Sequence, residues 1–154
     1  MVKLYSYILY IMSYKIKKLQ LEKAKELGVN IKPSTNPNKK VDVFVGTKKL
    51  ASIGANKSAV KGKPMGDYAT YVIQEPKIAE LRREGYIKRH SKEPKRDKDT
   101  GGFSKSFFSD EIMWSKKNQD VNKSDVKAFS KYREKLLKEQ EEKKKKLMKS
   151  LMKK

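Results

Sequence analysis

The 154-residue sequence contains no cysteine and a single histidine, His90. The absence of cysteine excludes disulfides, iron–sulfur clusters, cysteine-based zinc sites and thiol nucleophiles. A single histidine excludes a metal site built from several histidines. The chain therefore lacks the groups on which many metalloenzymes and thiol enzymes depend, and its composition is compatible with a reducing compartment.

Acidic residues are scarce relative to basic ones, with 18 Asp+Glu against 39 Lys+Arg and a formal net charge of +21. A folded domain with this excess repels itself unless a polyanion lies nearby, so nucleic acid is the first partner we expect. An anionic membrane surface and an acidic protein surface are the alternatives. Only five basic residues are arginine, and a lysine-dominated charge suits phosphate neutralisation better than the reading of base edges.

The sequence also lacks a long apolar run. Its most apolar stretch, residues 4–12, has nine residues, whereas a helix needs about 20 to cross a bilayer. It has no small-residue cleavage site and lysines follow at once, so it is not typical of a secretory signal. We interpret residues 1–14 as an apolar extension that packs on a partner; alternatively, translation begins at Met12.

Hydrophobic periodicity predicts a small α+β domain over residues 15–114. Its sheet is predicted to be antiparallel and three-stranded. The alternating segment 41–45, the turn residues Gly46-Thr47 and segment 49–53 predict a hairpin. The β-branched and aromatic segment 68–73 predicts the third strand.

Along the sequence, helices are predicted before and after these strands. Residues 16–27 predict an N-terminal helix that ends at Gly28, followed by a loop rich in proline and asparagine. Pro76 is suited to the first turn of a helix over residues 76–90, which we expect to pack across the sheet. An aromatic segment then closes the domain at Trp114. The predicted core residues are Phe44, Ile53, Tyr71, Ile78, Leu81, Phe107 and Trp114.

Residues 115–154 differ in composition and are predicted to form a lysine-rich tail, helical or partly disordered. The segment carries 15 Lys/Arg and 6 Asp/Glu and has neither glycine nor proline. A short apolar stripe at residues 147–152 has helical spacing, but no sustained heptad predicts a coiled coil. We expect the tail to bind nucleic acid or an acidic surface; a basic helix lying on a membrane and a solvated, frayed helix are the alternatives.

The strongest candidate site is the basic segment of the predicted helix 76–90. Arg82, Tyr86 and Arg89 are spaced at i, i+4 and i+7, so they share one helix face that could contact phosphates and stack a base on Tyr86. The alternative is a solvated face whose Tyr86 packs into the core. The predicted polyanion-binding residues are Arg82, Arg83, Tyr86, Lys88, Arg89, His90, Lys92 and Arg96, together with Lys143, Lys144, Lys145 and Lys146 in the tail.

Motifs for catalysis are not found. The sequence has neither a Walker loop nor a G-x-S-x-G nucleophile elbow, and no cofactor, metal site or small-molecule substrate is predicted. His90 is interpreted as a structural or phosphate-facing residue, with a general base as the alternative. Four acidic residues could hold magnesium in principle, but their spacing matches no known metal loop. They are Asp97, Asp99, Asp110 and Glu111.

Seven segments of the sequence together form a recognisable pattern. They are A-K-E-L-G-V-N-I-K-P-S (24–34), N-K-K-V-D-V-F (38–44), K-K-L-A-S-I-G-A (48–55), D-Y-A-T-Y (67–71), R-R-E-G-Y-I-K-R-H-S-K-E (82–93), G-F-S-K-S-F-F (102–108) and I-M-W (112–114). This pattern resembles a family of small basic proteins of unknown function from large DNA viruses of algae and protists. The more specific parts are the Arg89-His90 pair and the closing Trp114. The loop at residues 56–66 is longer than the family pattern, and both ends of the chain lie outside it.

The resemblance implies a virion or a viral factory in the host cytoplasm as the setting, and it supplies no biochemical activity. Together with the charge, it predicts a non-enzymatic virion protein that binds packaged DNA or the acidic inner surface of a capsid. One alternative is a minor capsid or cement protein whose extended ends thread between capsomers. The other is a nuclease that uses His90 with Asp97 or Asp99.

Overall fold

The computed structural model of the protein describes residues 14–56 and 66–153. Residues 1–13 of the predicted apolar extension and most of the loop at residues 56–66 lie outside these residues. The fold is α+β, as the sequence predicts, with one three-stranded antiparallel sheet, an N-terminal helix and a long C-terminal helix. The elements are α1 (Lys18–Leu27), β1 (Asn30–Pro33), β2 (Lys39–Val45), β3 (Lys48–Ala55), α2 (Tyr68–Gln74), α3 (Pro76–His90), α4 (Lys105–Phe108), a π-helical turn (Ser109–Met113) and α5 (Lys123–Met152).

The central hairpin is confirmed. β2 and β3 pair antiparallel, with Val41 opposite Ile53 and Val43 opposite Ala51. Gly46 has a φ of 59°, a conformation that glycine adopts without a steric penalty, so the chain reverses in two residues. The inward side chains of both strands are buried, and the hairpin therefore forms the floor of the core.

The third strand lies elsewhere than predicted. Residues 68–73 form helix α2, because the Asp67 side chain accepts a hydrogen bond from the Thr70 amide at 2.9 Å and caps the first turn. The strand that completes the sheet is β1, which was not predicted and which leads into the loop rich in proline and asparagine. Ile31 lies opposite Val43 and is buried with it. Local β propensity at 68–73 was outweighed by capping and tertiary packing.

Helices α1 and α3 are confirmed within about two residues. Gly28 ends α1 with a φ of 79°, and Pro76 opens α3. α3 packs mainly on α2 rather than across the sheet. The sheet is covered by α1, by α5 and by the aromatic segment with its π-helical turn, which includes Phe107 and Phe108.

The predicted core is correct in part. Ile53, Phe107 and Trp114 are buried. Phe44, Tyr71 and Ile78 are half-buried. Leu81 is wrong: its side chain is 69% exposed, because α3 turns Ala79 and Tyr86 toward the protein.

The core does not end at Trp114. Phe129 in α5 is fully buried and packs edge-on against Phe103 at 5.1 Å and Phe108 at 5.5 Å between ring centroids. Leu136, two turns later, is 4% exposed. The predicted boundary between domain and tail therefore divides one hydrophobic core, and only the end of α5 extends beyond it.

Two hydrogen bonds join α5 to main-chain carbonyls at the ends of α1 and β2. Arg133 donates from Nη1 to the Leu27 carbonyl at 2.7 Å, and Gln140 donates from Nε2 to the Val45 carbonyl at 2.9 Å. From residue 141 to residue 152 every side chain is exposed. At 1.5 Å per residue, these twelve residues extend about 18 Å past the last contact.

Candidate nucleic-acid interface

A cleft of about 610 Å³ opens between α3, strand β3 and the aromatic segment. α3 contributes Arg82, Tyr86, Arg89 and His90, so the predicted sharing of one helix face is confirmed. β3 contributes the apolar wall around Ile53. The cleft is also lined by Lys39, Lys105, Met113, Trp114 and, at its inner end, Lys40 and Asp67.

The floor of the cleft is a column of three rings. Tyr86 stacks on Trp114, with centroids 4.3 Å apart, and His90 lies on the other side of Tyr86 at 4.2 Å. The Tyr86 hydroxyl hydrogen-bonds Ser109 at 2.8 Å, and burial raises the pKa of Tyr86. Protein thus covers both faces of Tyr86. The residue packs inside the protein, as the alternative interpretation of this helix face states, and a base cannot stack on it directly.

His90 ends the ring column at the surface. Its Nδ1 contacts Glu93 at 2.5 Å, and this hydrogen bond lowers the pKa of the Glu93 carboxyl. The hydrogen bonds of Asp97 remain within its own loop, to Asp99 and Thr100. Among residues 14–56 and 66–153, no cluster of three or more His, Cys, Asp or Glu side chains is arranged to hold a metal ion.

Arg83 differs from its neighbours on α3. Its Nε donates to the Trp114 carbonyl at 2.8 Å, its guanidinium also contacts Glu80, and its side chain is only 14% exposed. Arg83 therefore joins α3 to the end of the aromatic segment and is turned away from solvent. Lys88 and Lys92 are exposed but do not line the cleft.

A buried ion pair supports the inner end of the cleft. Lys40 Nζ lies 2.7 Å from Asp67, which also accepts a hydrogen bond from the Tyr14 hydroxyl at 2.7 Å. Although burial opposes it, the Lys40 ammonium holds the pKa of the Asp67 carboxyl below its ordinary value. These contacts join the segment before α1, strand β2 and the N-terminus of α2.

A second basic surface lies on α5 and was missed by the sequence reasoning. Arg96 and three lysines spaced at i, i+4 and i+8 line a shallow groove of about 450 Å³ that no carboxylate lines. The lysines are Lys127, Lys131 and Lys135. Their regular spacing was the available signal, but it became meaningful only once Arg96 was placed beside them. We call these four residues the α5 groove.

The four consecutive tail lysines, Lys143 to Lys146, lie on the extended end of α5. All are exposed, and Lys145 is 3.8 Å from Glu141 in the ion pair that this end makes. The same end exposes Leu147, Met148, Leu151 and Met152. None of the helices in the described parts of the chain is both long and apolar enough to cross a membrane.

Comparisons with protein-family models, with curated proteins and with solved structures found no match for this chain. The viral family therefore stays a prediction that rests on the segments quoted above.

Proposed function

We propose that the protein is a non-enzymatic nucleic-acid-binding protein that neutralises phosphates through the lysines of α5. The observation that carries this proposal is that the lysines of this helix are largely unpaired, although the helix also carries five acidic residues. Of its ten lysines, only Lys145 has a carboxylate within 4.0 Å among the residues that the structure describes. Unpaired cations on a rigid element are available to a polyanion at little cost in lost ion pairs.

The α5 groove supplies the best-formed part of this surface. Three lysines on successive turns make a row about 12 Å long, and Arg96 lies beside them. Arg96 is held over the Phe103 ring at 4.7 Å, which orients its guanidinium. The Arg133 and Gln140 hydrogen bonds hold the helix on the domain, so the row is presented in a fixed orientation.

The extended end of α5 adds further charge beyond the domain. Residues 143–153 contain six lysines and no acidic residue. Such a segment increases affinity without selecting a sequence, since phosphate contacts carry no base information. The resemblance to viral proteins supports packaged genome as the nucleic acid and a virion or viral factory as the location.

A second candidate function is a minor capsid or cement protein. It is favoured by the exposed apolar residues at the end of α5, which reach 83% exposure at Met152. An exposed apolar stripe on a helix that extends from the domain suits a groove on another protein. In this function the lysines would face an acidic capsid surface.

Salt titration of binding to duplex DNA of scrambled sequence tests the proposal. If about six phosphates are contacted, log K falls with log salt at a slope of about −5. The triple variant Lys127→Gln/Lys131→Gln/Lys135→Gln should bind more weakly. Its slope should be shallower, less negative by about three. A flat salt response would remove nucleic acid as the partner.

A matched control removes the same charge from other exposed surfaces: Lys25→Gln/Lys48→Gln/Lys77→Gln. We expect this variant to keep most of the wild-type slope, and an equal loss in both triples would contradict the α5 groove as the interface. Polyglutamate is the competing ligand, and tighter binding to it than to DNA would favour the capsid function. Cleavage of the DNA in the presence of Mg²⁺ would favour the nuclease alternative.

A further inference from the structure

We infer that the cleft beside α3 binds a phosphorylated nucleoside, either as a free nucleotide or as the terminal nucleotide of a single strand. This goes beyond the proposed function, which places duplex binding on α5. The inference rests on three properties of the cleft: unpaired cations at its mouth, an aromatic and apolar floor, and a volume suited to a small ligand.

The mouth of the cleft carries an excess of positive charge. Arg82, Arg89, Lys39 and Lys105 come from three separate parts of the chain and converge on one opening. Within the described ranges, none of the four forms an ion pair with a carboxylate. Four cations without counter-ions form a site for a phosphate group, and the two arginines suit bidentate contact with its oxygens.

The acidic residues of the cleft do not neutralise this mouth. Asp67 is held by Lys40 at 2.7 Å, and Glu93 contacts His90. Arg82 is placed 5.8 Å above the Tyr71 ring, which orients it without consuming its charge. The positive charge at the opening is therefore available to a ligand.

The interior of the cleft is apolar and aromatic. Ile53, Met113 and Trp114 line it, and the ring column ends at His90, whose side chain is 32% exposed. Tyr86 covers one face of the His90 ring, and no ring of the described residues covers the other. A base that stacks on this outer face would continue the column Trp114–Tyr86–His90.

Size distinguishes the ligand class. A volume of about 610 Å³ is far larger than inorganic phosphate needs and lies in the range of small-molecule sites. A ligand that satisfies both ends of the cleft must carry a planar aromatic group and an anion a few ångströms away. A nucleoside phosphate has both groups, whereas adenosine lacks the anion and inorganic phosphate lacks the aromatic group.

Trp114 reports directly on the cleft, because it is the only tryptophan in the chain and forms part of the cleft floor. Adenosine 5′-monophosphate, titrated while tryptophan emission is recorded, should give a saturable change. Adenosine and inorganic phosphate should each bind at least about tenfold more weakly, since each lacks one of the two contacts. Absence of any change up to about 1 mM nucleotide would overturn the inference.

Two arms of the titration distinguish the sources of the nucleotide. A short oligothymidylate with a 5′-phosphate is compared with the same strand without it. If the phosphorylated strand binds about tenfold more tightly than the mononucleotide, the ligand is a strand end; equal affinity indicates a free nucleotide. Equal binding of the strands with and without phosphate would contradict a strand end as the ligand.

A matched pair of double variants on and after α3 tests the location. Arg82→Gln/Arg89→Gln removes two cleft cations, whereas Lys88→Gln/Lys92→Gln removes two exposed charges outside the cleft. The first should weaken mononucleotide binding at least about tenfold and the second less than about twofold. Equal losses would mean non-specific attraction and would overturn the assignment of the cleft.

The two proposals fail independently. The cleft variant should retain duplex binding, and the α5 triple variant should retain mononucleotide binding. Should Arg82→Gln/Arg89→Gln unfold, Lys39→Gln/Lys105→Gln removes the other two cations from different elements and must then show the same loss. Unchanged nucleotide affinity in that second variant would contradict the site.

Discussion

The rings of Tyr86 and Trp114 lie face to face, with centroids 4.3 Å apart and planes 6° from parallel. This contact joins α3 to the end of the aromatic segment, and the Arg83 hydrogen bond to the Trp114 carbonyl strengthens the same junction. Because Arg82 and Arg89 flank Tyr86 on the helix, the stack also sets the position of the cleft cations. Stability and the nucleotide binding that we propose thus depend on one junction.

Trp114→Ala should lower the free energy of unfolding by about 3–5 kcal/mol, because it removes a buried aromatic ring and leaves Tyr86 unsupported. Trp114→Phe keeps an aromatic partner and should cost less. Thermal and urea unfolding measure both changes. Equal destabilisation by alanine and phenylalanine would show that the stack contributes little beyond the tryptophan volume.

Arg83 and Arg82 are adjacent but should respond differently to substitution. Arg83→Ala removes a largely buried hydrogen bond to a main-chain carbonyl and should destabilise the fold by about 1.5–3 kcal/mol. Arg82→Ala removes an exposed side chain and should change stability by less than about 0.5 kcal/mol. Urea unfolding of the two variants side by side is the measurement, and equal losses would contradict the assigned roles.

Truncation should separate the structural and the extended parts of α5. A chain that ends after Gln140 keeps Phe129 and Leu136 and should retain cooperative unfolding, although the cut lowers the net charge from +21 to +16. Its affinity for duplex DNA should fall, with a shallower salt slope.

A chain that ends after Trp114 loses both buried side chains of α5 and should not unfold cooperatively. The loss follows from the hydrophobic surface left exposed on Phe103 and Phe108. Differential scanning calorimetry distinguishes the two truncations. A sharp transition in the shorter chain would show that α5 is dispensable for folding.

Glu111 should make the protein less stable as pH rises from about 4.5 toward 7. Burial raises the pKa of Glu111 from 4.5 to about 7, even though its carboxylate accepts a hydrogen bond from the Asn122 amide at 2.7 Å. Asp120 and Asp110 add to the rise, and Lys23 opposes it. The folded state therefore binds a proton that the unfolded state releases between these two values.

The free energy of unfolding should accordingly fall by on the order of 3 kcal/mol through this group between about pH 4.5 and pH 7, and stay level above. Urea unfolding at about pH 5 and pH 8 measures it. Glu111→Gln should reduce the difference between the two pH values, whereas Glu139→Gln, an exposed carboxylate on α5, should leave it unchanged. Equal pH dependence of the two variants would contradict the assignment.

Several elements were predictable because their signals are local. The alternation at 41–45 with a two-residue turn determined the hairpin, Gly28 determined the end of α1, and Pro76 the start of α3. The i, i+4, i+7 spacing of Arg82, Tyr86 and Arg89 likewise determined that they share a face. Each signal acts within a few residues, so no knowledge of the partner elements was needed.

The sequence by itself determined the basic character of the protein, its α+β class and the lysine-rich composition of its basic surfaces. The tertiary structure decided which strand completes the sheet, because Asn30–Pro33 becomes a strand only when β2 offers its backbone. It also decided that Phe129 belongs to the core, that Arg83 is a structural contact, and that Lys39 and Lys105 join Arg82 at one cleft. These outcomes depend on contacts between residues that are distant along the chain. A local sequence pattern does not determine the free energies of such contacts.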